Sequence, residues 1–261
     1  MPSSATILDE SSHTARSRCD ALMPRDSARW PLRYQHLVRL QECLAASSPL
    51  AWTPSNGAIA IGGVWFVGPT GSAGIHRGEP AWAAAVALGS RSIDAVVAGR
   101  TPAGYRAGAL AMREGPLLEA AVRALPRMPD VLLVNATGRD HPRRAGLALH
   151  LGAAVDVPTV GVTHRPLLAV GPEPPAGAGT VSPLELDDVV VAAWVRTRAG
   201  ARPIVVHPAW RTDLETALEV VRRSVLGART PEPLRRARRA ARLARARGSA
   251  TSLVRPSHDA A

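Results

Sequence analysis

The residues best suited to chemistry fall between positions 105 and 167. Glu114 stands at the start of a helical pattern, Asn135 closes a short apolar run, and His141 lies beside Arg143 and Arg144. An acid, a histidine and two arginines brought together from separate elements suit metal-assisted phosphodiester hydrolysis. Mg2+ takes hard oxygen ligands, and a planar guanidinium matches a phosphate with two parallel hydrogen bonds. Such a centre needs carboxylates at converging strand ends, because negative charge is what keeps the ion in place. Here the strand ends carry none, and the acid next to His141 is Asp140.

Periodicity outlines the elements that must hold these side chains. Leu37, Leu40 and Leu44 recur at helical spacing within residues 30–46. Leu117, Leu118, Ala121, Val122 and Leu125 do the same within 114–125. A Pro/Ser/Asn/Gly stretch at 47–57 ends the first helix. Apolar runs at 58–67, 81–88 and 93–98, the last two joined by Gly89-Ser90, read as a three-stranded meander. Residues 131–134 are apolar without alternation, as a strand covered on both faces would be. A helix over 144–155 and a strand over 159–162 follow, then strands at 189–196 and 204–206 and a helix over 212–225. The Gly/Pro-rich stretch 171–183 reads as a flexible loop. Helices alternating with short apolar strands predict an α/β sheet with parallel members. The expected organisation is a disordered extension at 1–28, one domain over 29–234, and an Arg-rich C-terminal tail at 235–261. That tail, with seven arginines from Arg235 to Arg247, either contacts phosphates or forms a solvated helical end.

Composition narrows the partner. A chain of 261 residues that is 46% hydrophobic can bury the core of one large domain. Its net charge is +11 and every basic side chain is Arg, which favours a polyanion such as DNA or RNA. A GC-rich codon bias also accounts for the missing Lys without altering the charge. Cys19 and Cys43 have neither metal-ligand spacing nor a disulfide framework, so a reducing compartment is expected. No apolar run reaches the ~18–20 residues of a membrane span, and the first twenty residues lack a signal-peptide core. The expectation is a soluble cytoplasmic protein with no membrane association and no obligate protein partner.

The motifs come in a telling order. Residues 105–110 read Tyr-Arg-Ala-Gly-Ala-Leu and are followed by Arg113-Glu114. Residues 132–138 read Leu-Leu-Val-Asn-Ala-Thr-Gly, and 141–144 read His-Pro-Arg-Arg. Further on come Pro-Thr-Val-Gly-Val at 158–162, Leu-Glu-Thr-Ala-Leu at 214–218 and Pro-Glu-Pro-Leu-Arg at 231–235. From about residue 30 to residue 247 this set resembles the endonuclease V (deoxyinosine 3′-endonuclease) family.

The resemblance implies a ribonuclease H-like fold, a mixed central sheet flanked by helices on both faces. It also implies Mg2+ and cleavage of DNA, or in some members RNA, near a deaminated purine, chiefly hypoxanthine. By the same resemblance Glu114 is a metal ligand, Asn135 a weakened one, and His141 positions water or phosphate. Tyr105 corresponds to the aromatic wedge, Gly108 and Leu110 to the lining of the base pocket. Arg143, Arg144 and His164 correspond to nucleic-acid contacts. The chain departs from the family at the metal. Trp65, in Gly63-Val64-Trp65, stands where the family has its first Asp, and Asn135 replaces the second. His164 and Trp210 replace a Lys and a His, and Arg106 and Ala107 replace an apolar residue and a Pro. Losing two anionic charges at ~4 Å removes on the order of several kcal/mol of metal affinity, even at an effective dielectric near 20.

Structural roles compete with these assignments. Asp140 either joins Glu114 and His141 at a shifted metal or N-caps the helix carrying Arg143 and Arg144. Glu114 is also suited to a first helical turn, His141 to hydrogen bonding within its own turn, and Tyr105 to covering a loop. Three functions follow. The first is an endonuclease V-like DNA-repair protein acting on inosine with Mg2+, its scission weakened or lost. The second is a catalytically inactive nucleic-acid-binding protein using Arg143, Arg144, Tyr105 and the basic tail. The third is a pocket for an aromatic or nucleotide ligand built around Trp65 and Trp210.

Overall fold

The computed structural model describes residues 30–69, 76–89, 92–248 and 253–256. The extension expected at 1–28 lies outside them, as does Ser90 of the expected Gly89-Ser90 turn. Among the described residues there are five helices: α1 (Tyr34–Ala46), α2 (Leu110–Arg123), α3 (Leu147–Val155), α4 (Leu214–Ser224) and α5 (Glu232–Ala246). Nine strands accompany them: β1 (Ile61–Val67), β2 (Pro80–Leu88), β3 (Ile93–Arg100), β4 (Val131–Val134), β5 (Thr159–Thr163), β6 (Val181–Leu186), β7 (Val189–Val195), β8 (Ile204–Pro208) and β9 (Leu253–Pro256).

The strands form one mixed sheet in the order β6-β7-β8-β5-β4-β1-β2-β3-β9. The centre, β1-β4-β5, is parallel, and the flanks are antiparallel. Helices cover both faces. Val64, Leu132 and Val134 pack with α1, α2 and α3, whereas Ile61, Val131 and Leu133 pack with α4 and the start of α5. This is the period-2 alternation of strands buried on both sides. Small side chains set the spacing. Ala81, Ala83, Ala85 and Ala87 of β2 face the α2 layer, while Ala84 faces α5. At Gly63 a Cβ would lie 2.4 Å from the backbone of Pro233, so only glycine lets α5 settle on β1. Among the described residues no helix is long and apolar enough to cross a membrane.

Four expectations need correction. Helix α2 begins at Leu110, so Glu114 is not a first-turn acid. Helix α3 begins at Leu147, and Arg143 and Arg144 precede it. Residues 181–183, expected at the end of a loop, open the edge strand β6, paired with β7 through a turn in which Asp187 and Asp188 both have positive φ. Pro183 is tolerated there because an edge strand leaves one backbone side unpaired. Finally, residues 235–246 are not a tail. Leu234, Ala237 and Ala241 are fully buried, which makes α5 part of the domain.

Candidate functional site

The turn between β3 and α2 carries Tyr105 and Gly108. Tyr105 is 57% exposed, a large apolar ring held in solvent. Gly108 has φ +70, and a Cβ there would lie 3.2 Å from Arg143 Nη2, so the turn requires glycine. Leu110, half-buried, opens α2 directly after it. The turn is braced from three directions. Arg143 Nη2 donates to the Gly108 carbonyl, its Nε donates to Gln41 Oε1 at 2.7 Å, and its Nη1 donates to the Tyr34 hydroxyl at 3.3 Å. Gln41 Nε2 donates in turn to the Ala145 carbonyl at 3.0 Å. The Arg106 guanidinium stacks 3.5 Å above the Tyr34 ring. Just downstream, buried Arg113 pairs with Glu79 and donates to the carbonyls of His76 and Ala103. Tyr34, Gln41 and Glu79 escaped the sequence reading. The available signal was Gln41, a polar residue inside the Leu37, Leu40, Leu44 stripe of α1.

His141 lies beneath this turn and is almost fully buried. Its Nδ1 accepts from the Arg143 backbone N–H at 3.2 Å, as expected of a histidine bonding within its own turn. Burial, then the nearby Arg143 charge, pushes its pKa down to about 4, outweighing the Gly108 carbonyl and Asp140. It is therefore neutral at pH 7 and carries no charge toward a phosphate. Arg144, with φ 53, donates to the Leu186 carbonyl and the Asp187 carboxylate, at 2.8 and 2.7 Å. The two arginines expected at phosphates thus act as tethers, Arg143 on the Gly108 turn and Arg144 on the β6–β7 turn.

Asp140 is neither a metal ligand nor a helix cap. It is completely buried, and its carboxylate accepts the backbone N–H groups of Leu167, Leu168 and Ala169 at 2.7–2.9 Å. It anchors the segment following β5. The N-cap of α3 is Gly146, with no side-chain cap.

The strand ends that resemble the metal centre are differently equipped. In the parallel β1–β4 register Val64 pairs with Val134, so the next residues, Trp65 and Asn135, lie side by side on the α4/α5 face. The Trp65 indole is half-buried against Ile61, Val67, Ala84 and α5, and the Arg238 guanidinium sits 5.3 Å from its ring centre. Asn135 is exposed. Glu114 is half-buried, with no hydrogen-bond or ion-pair partner among the described residues. Burial raises its pKa to about 7 against the opposing pull of Arg113. His164 is exposed, and its pKa is lowered by partial burial and by the charges of Arg229 and Arg238. Among the described residues no three His, Cys, Asp or Glu side chains come together where a metal ion could sit. One lone carboxyl, a neutral amide, an indole and a guanidinium do not fit Mg2+, which needs several hard, charged oxygens. The ligand pocket expected around Trp65 and Trp210 is not formed either. Trp65 packs with the α4/α5 clusters, whereas Trp210 packs beside Gly152 in the α1–α3 cluster on the opposite face.

Comparison with known proteins agrees with this architecture. Residues 72–239 match the Endonuclease V family profile. Endonuclease V of Methanopyrus kandleri is 46% identical over 164 residues, covering 61% of this chain and 71% of that protein. Endonuclease V of Roseiflexus castenholzii is 38% identical over 166 residues, covering 62% and 75%. The crystal structure of Endonuclease V from Streptomyces avermitilis superposes with a TM-score of 0.76 at 30% identity, covering 85% of this chain and 97% of that one.

Proposed function

Because the chain belongs to the endonuclease V family, we propose that it binds nucleic acid and recognises deaminated purines, inosine first among them, with metal-assisted strand scission weakened or lost. Tyr105 is the wedge, exposed and placed on a turn whose shape is fixed by Arg143, Gln41 and Tyr34. A base leaving the stack would meet Gly108 and Leu110, where the absence of a Cβ lets the backbone approach closely. A wedge aromatic that stacks on a base contributes about 1–3 kcal/mol.

The observation that carries the reading is that Trp65 and Asn135 each directly follow the last β1–β4 register pair, Val64 with Val134. There the chain offers an indole and a neutral amide, while Glu114 remains as a single acid with a raised pKa. Burial raises that carboxyl against the opposing pull of the Arg113 charge. The catalytically inactive nucleic-acid binder is the limit of the same reading, and the donor set favours that limit.

Two measurements on one preparation test it. Inosine-containing oligonucleotides are expected to bind more tightly than matched adenosine controls, with no nicking in Mg2+ or Mn2+. Equal affinity for the two oligonucleotides would remove inosine recognition, and metal-dependent nicking by the unaltered protein would remove the loss of scission. Joint restoration, Trp65→Asp with Asn135→Asp, is expected to recover cleavage if only the ligands have gone.

A further inference from the structure

Helix α5 runs along β1 from Gly63, where the Pro233 backbone touches the strand, to Gly68, whose carbonyl accepts from Arg245 Nη1 at 3.2 Å. Its inner side is apolar and small: Leu234, Ala237 and Ala241 are fully buried. Its outer side is almost entirely cationic. Arg235, Arg238, Arg239, Arg242, Leu243 and Ala246 line an open groove of about 550 Å³. Elsewhere among the described residues arginines pair with acids both locally, as Arg222 and Arg223 do with Glu219, and across the fold, as Arg113 does with Glu79 and Arg144 with Asp187. On this helix Glu232 holds Arg235 and Arg236. Arg238, Arg239 and Arg242 are exposed and have no carboxylate partner among the described residues. Leaving three like charges close together on one helix face is unfavourable unless an anion joins them.

The position of this cluster matters as much as its charge. Arg238 lies over Trp65, the residue standing where the family resemblance places an anionic metal ligand. The local charge is therefore inverted: where the family centre would gather carboxylates around a cation, this chain gathers guanidiniums. The two arrangements share one possible guest, a phosphodiester. One holds it through a metal and the other by direct, charge-assisted hydrogen bonds.

We propose that the α5 groove, with Arg238 on Trp65 and Arg239 and Arg242 beyond it, binds the sugar–phosphate backbone of nucleic acid without a metal ion. The inference rests on the nucleic-acid reading above and adds to it a second contact region, separate from the Tyr105 turn. Its dimensions suit the guest. The helix from Arg235 to Arg242 spans roughly 10 Å, which matches about three phosphates at a rise of ~3.4 Å per nucleotide. Arginine planes also tolerate any base sequence, so this region supplies affinity and the Tyr105 turn supplies selection.

The test compares the full chain with the variant Arg238→Gln/Arg239→Gln/Arg242→Gln, using an inosine-free duplex and a single-stranded oligonucleotide titrated from 50 to 200 mM salt in EDTA. Gln keeps the helix propensity, and circular dichroism checks the fold. The unaltered protein is expected to bind in EDTA as well as in Mg2+. The triple variant is expected to lose about 2.7 from its duplex salt slope, so that its affinity changes about 40-fold less across that salt range. A control, Arg127→Gln/Arg198→Gln/Arg202→Gln, removes the same charge from exposed loops and is expected to leave the slope nearly unchanged. An unchanged slope in the α5 variant, an equal loss in the loop control, or binding abolished by EDTA overturns the proposal. The ratio of inosine to adenosine affinity separates the two readings. Loss of that preference alone sinks recognition at Tyr105, whereas loss of the α5 slope effect alone sinks this groove.

Discussion

The Gly108 turn and the Trp65–Asn135 edge are built on opposite principles. At the turn, one guanidinium, one amide and one phenol satisfy each other and the backbone, so the exposed Tyr105 rises from a fixed base. At the edge the cation Arg238 leans on the Trp65 indole rather than on an acid, and Glu114, on α2, has no hydrogen-bond or ion-pair partner among the described residues. On the proposed reading, recognition and catalysis come apart in one fold. Shape at the turn depends on hydrogen bonds internal to the protein. Metal-assisted chemistry at the edge would depend on charge that carboxylates supply.

The largest expected effect comes from breaking the turn. Arg143→Ala leaves the Gly108 carbonyl, Gln41 and Tyr34 without their shared donor, and a loss of about 3 kcal/mol is expected in urea unfolding. Inosine preference should fall with it. Arg143→Lys is expected to rescue little, because an ammonium cannot reproduce the three-way fork.

Titration sharpens the comparison because the two regions respond to pH with opposite signs. His141, at the turn, has its pKa lowered to about 4, and so does His207, which is held by Thr163. The unfolded chain binds more protons than the folded one between about pH 4 and 6.5, so their contribution is lost as pH falls through that window. Glu114, the acid of α2 that the family resemblance assigns to the edge, has its pKa raised to about 7. The folded chain then holds the extra proton, and stability is lost as pH rises from about 4.5 to 7. Glu114→Gln is therefore expected to stabilise the protein by about 2–3 kcal/mol at pH 8 and to do little at pH 4, as read by chemical denaturation at each pH. The variant should also show a steeper acid limb, since the opposing carboxyl is gone.

The smallest effect concerns the wedge itself. Tyr105→Ala should leave stability within about 0.5 kcal/mol of the parent, the ring being exposed. Inosine-strand affinity should fall by about 1–3 kcal/mol.

Much of this contrast could be read before any coordinates. The β1–β2–β3 meander, β4, β5 and the stripes of α1 and α2 follow from periodicity, and the family resemblance implies the replaced acids at Trp65 and Asn135. Three things could not be read. Asp140 looks like a cap because it precedes a helical pattern, yet its partners are backbone amides 27 to 29 residues away. Arg143 and Arg144 look free because sequence gives charge without neighbours, and their partners come from α1 and the β6–β7 turn. The residues of α5 read as a tail because seven arginines hide the buried spacing of Leu234, Ala237 and Ala241. In each case the missing information was a long-range contact, which local pattern does not encode.

Direct Mn2+ binding, followed by the loss of its free electron-paramagnetic signal at pH 7.5, tests the contrast between the two regions most simply. The unaltered protein is expected to show no saturable site below about 1 mM, and Trp65→Asp with Asn135→Asp is expected to create one. A saturable site in the unaltered protein that disappears in Glu114→Gln would contradict the account.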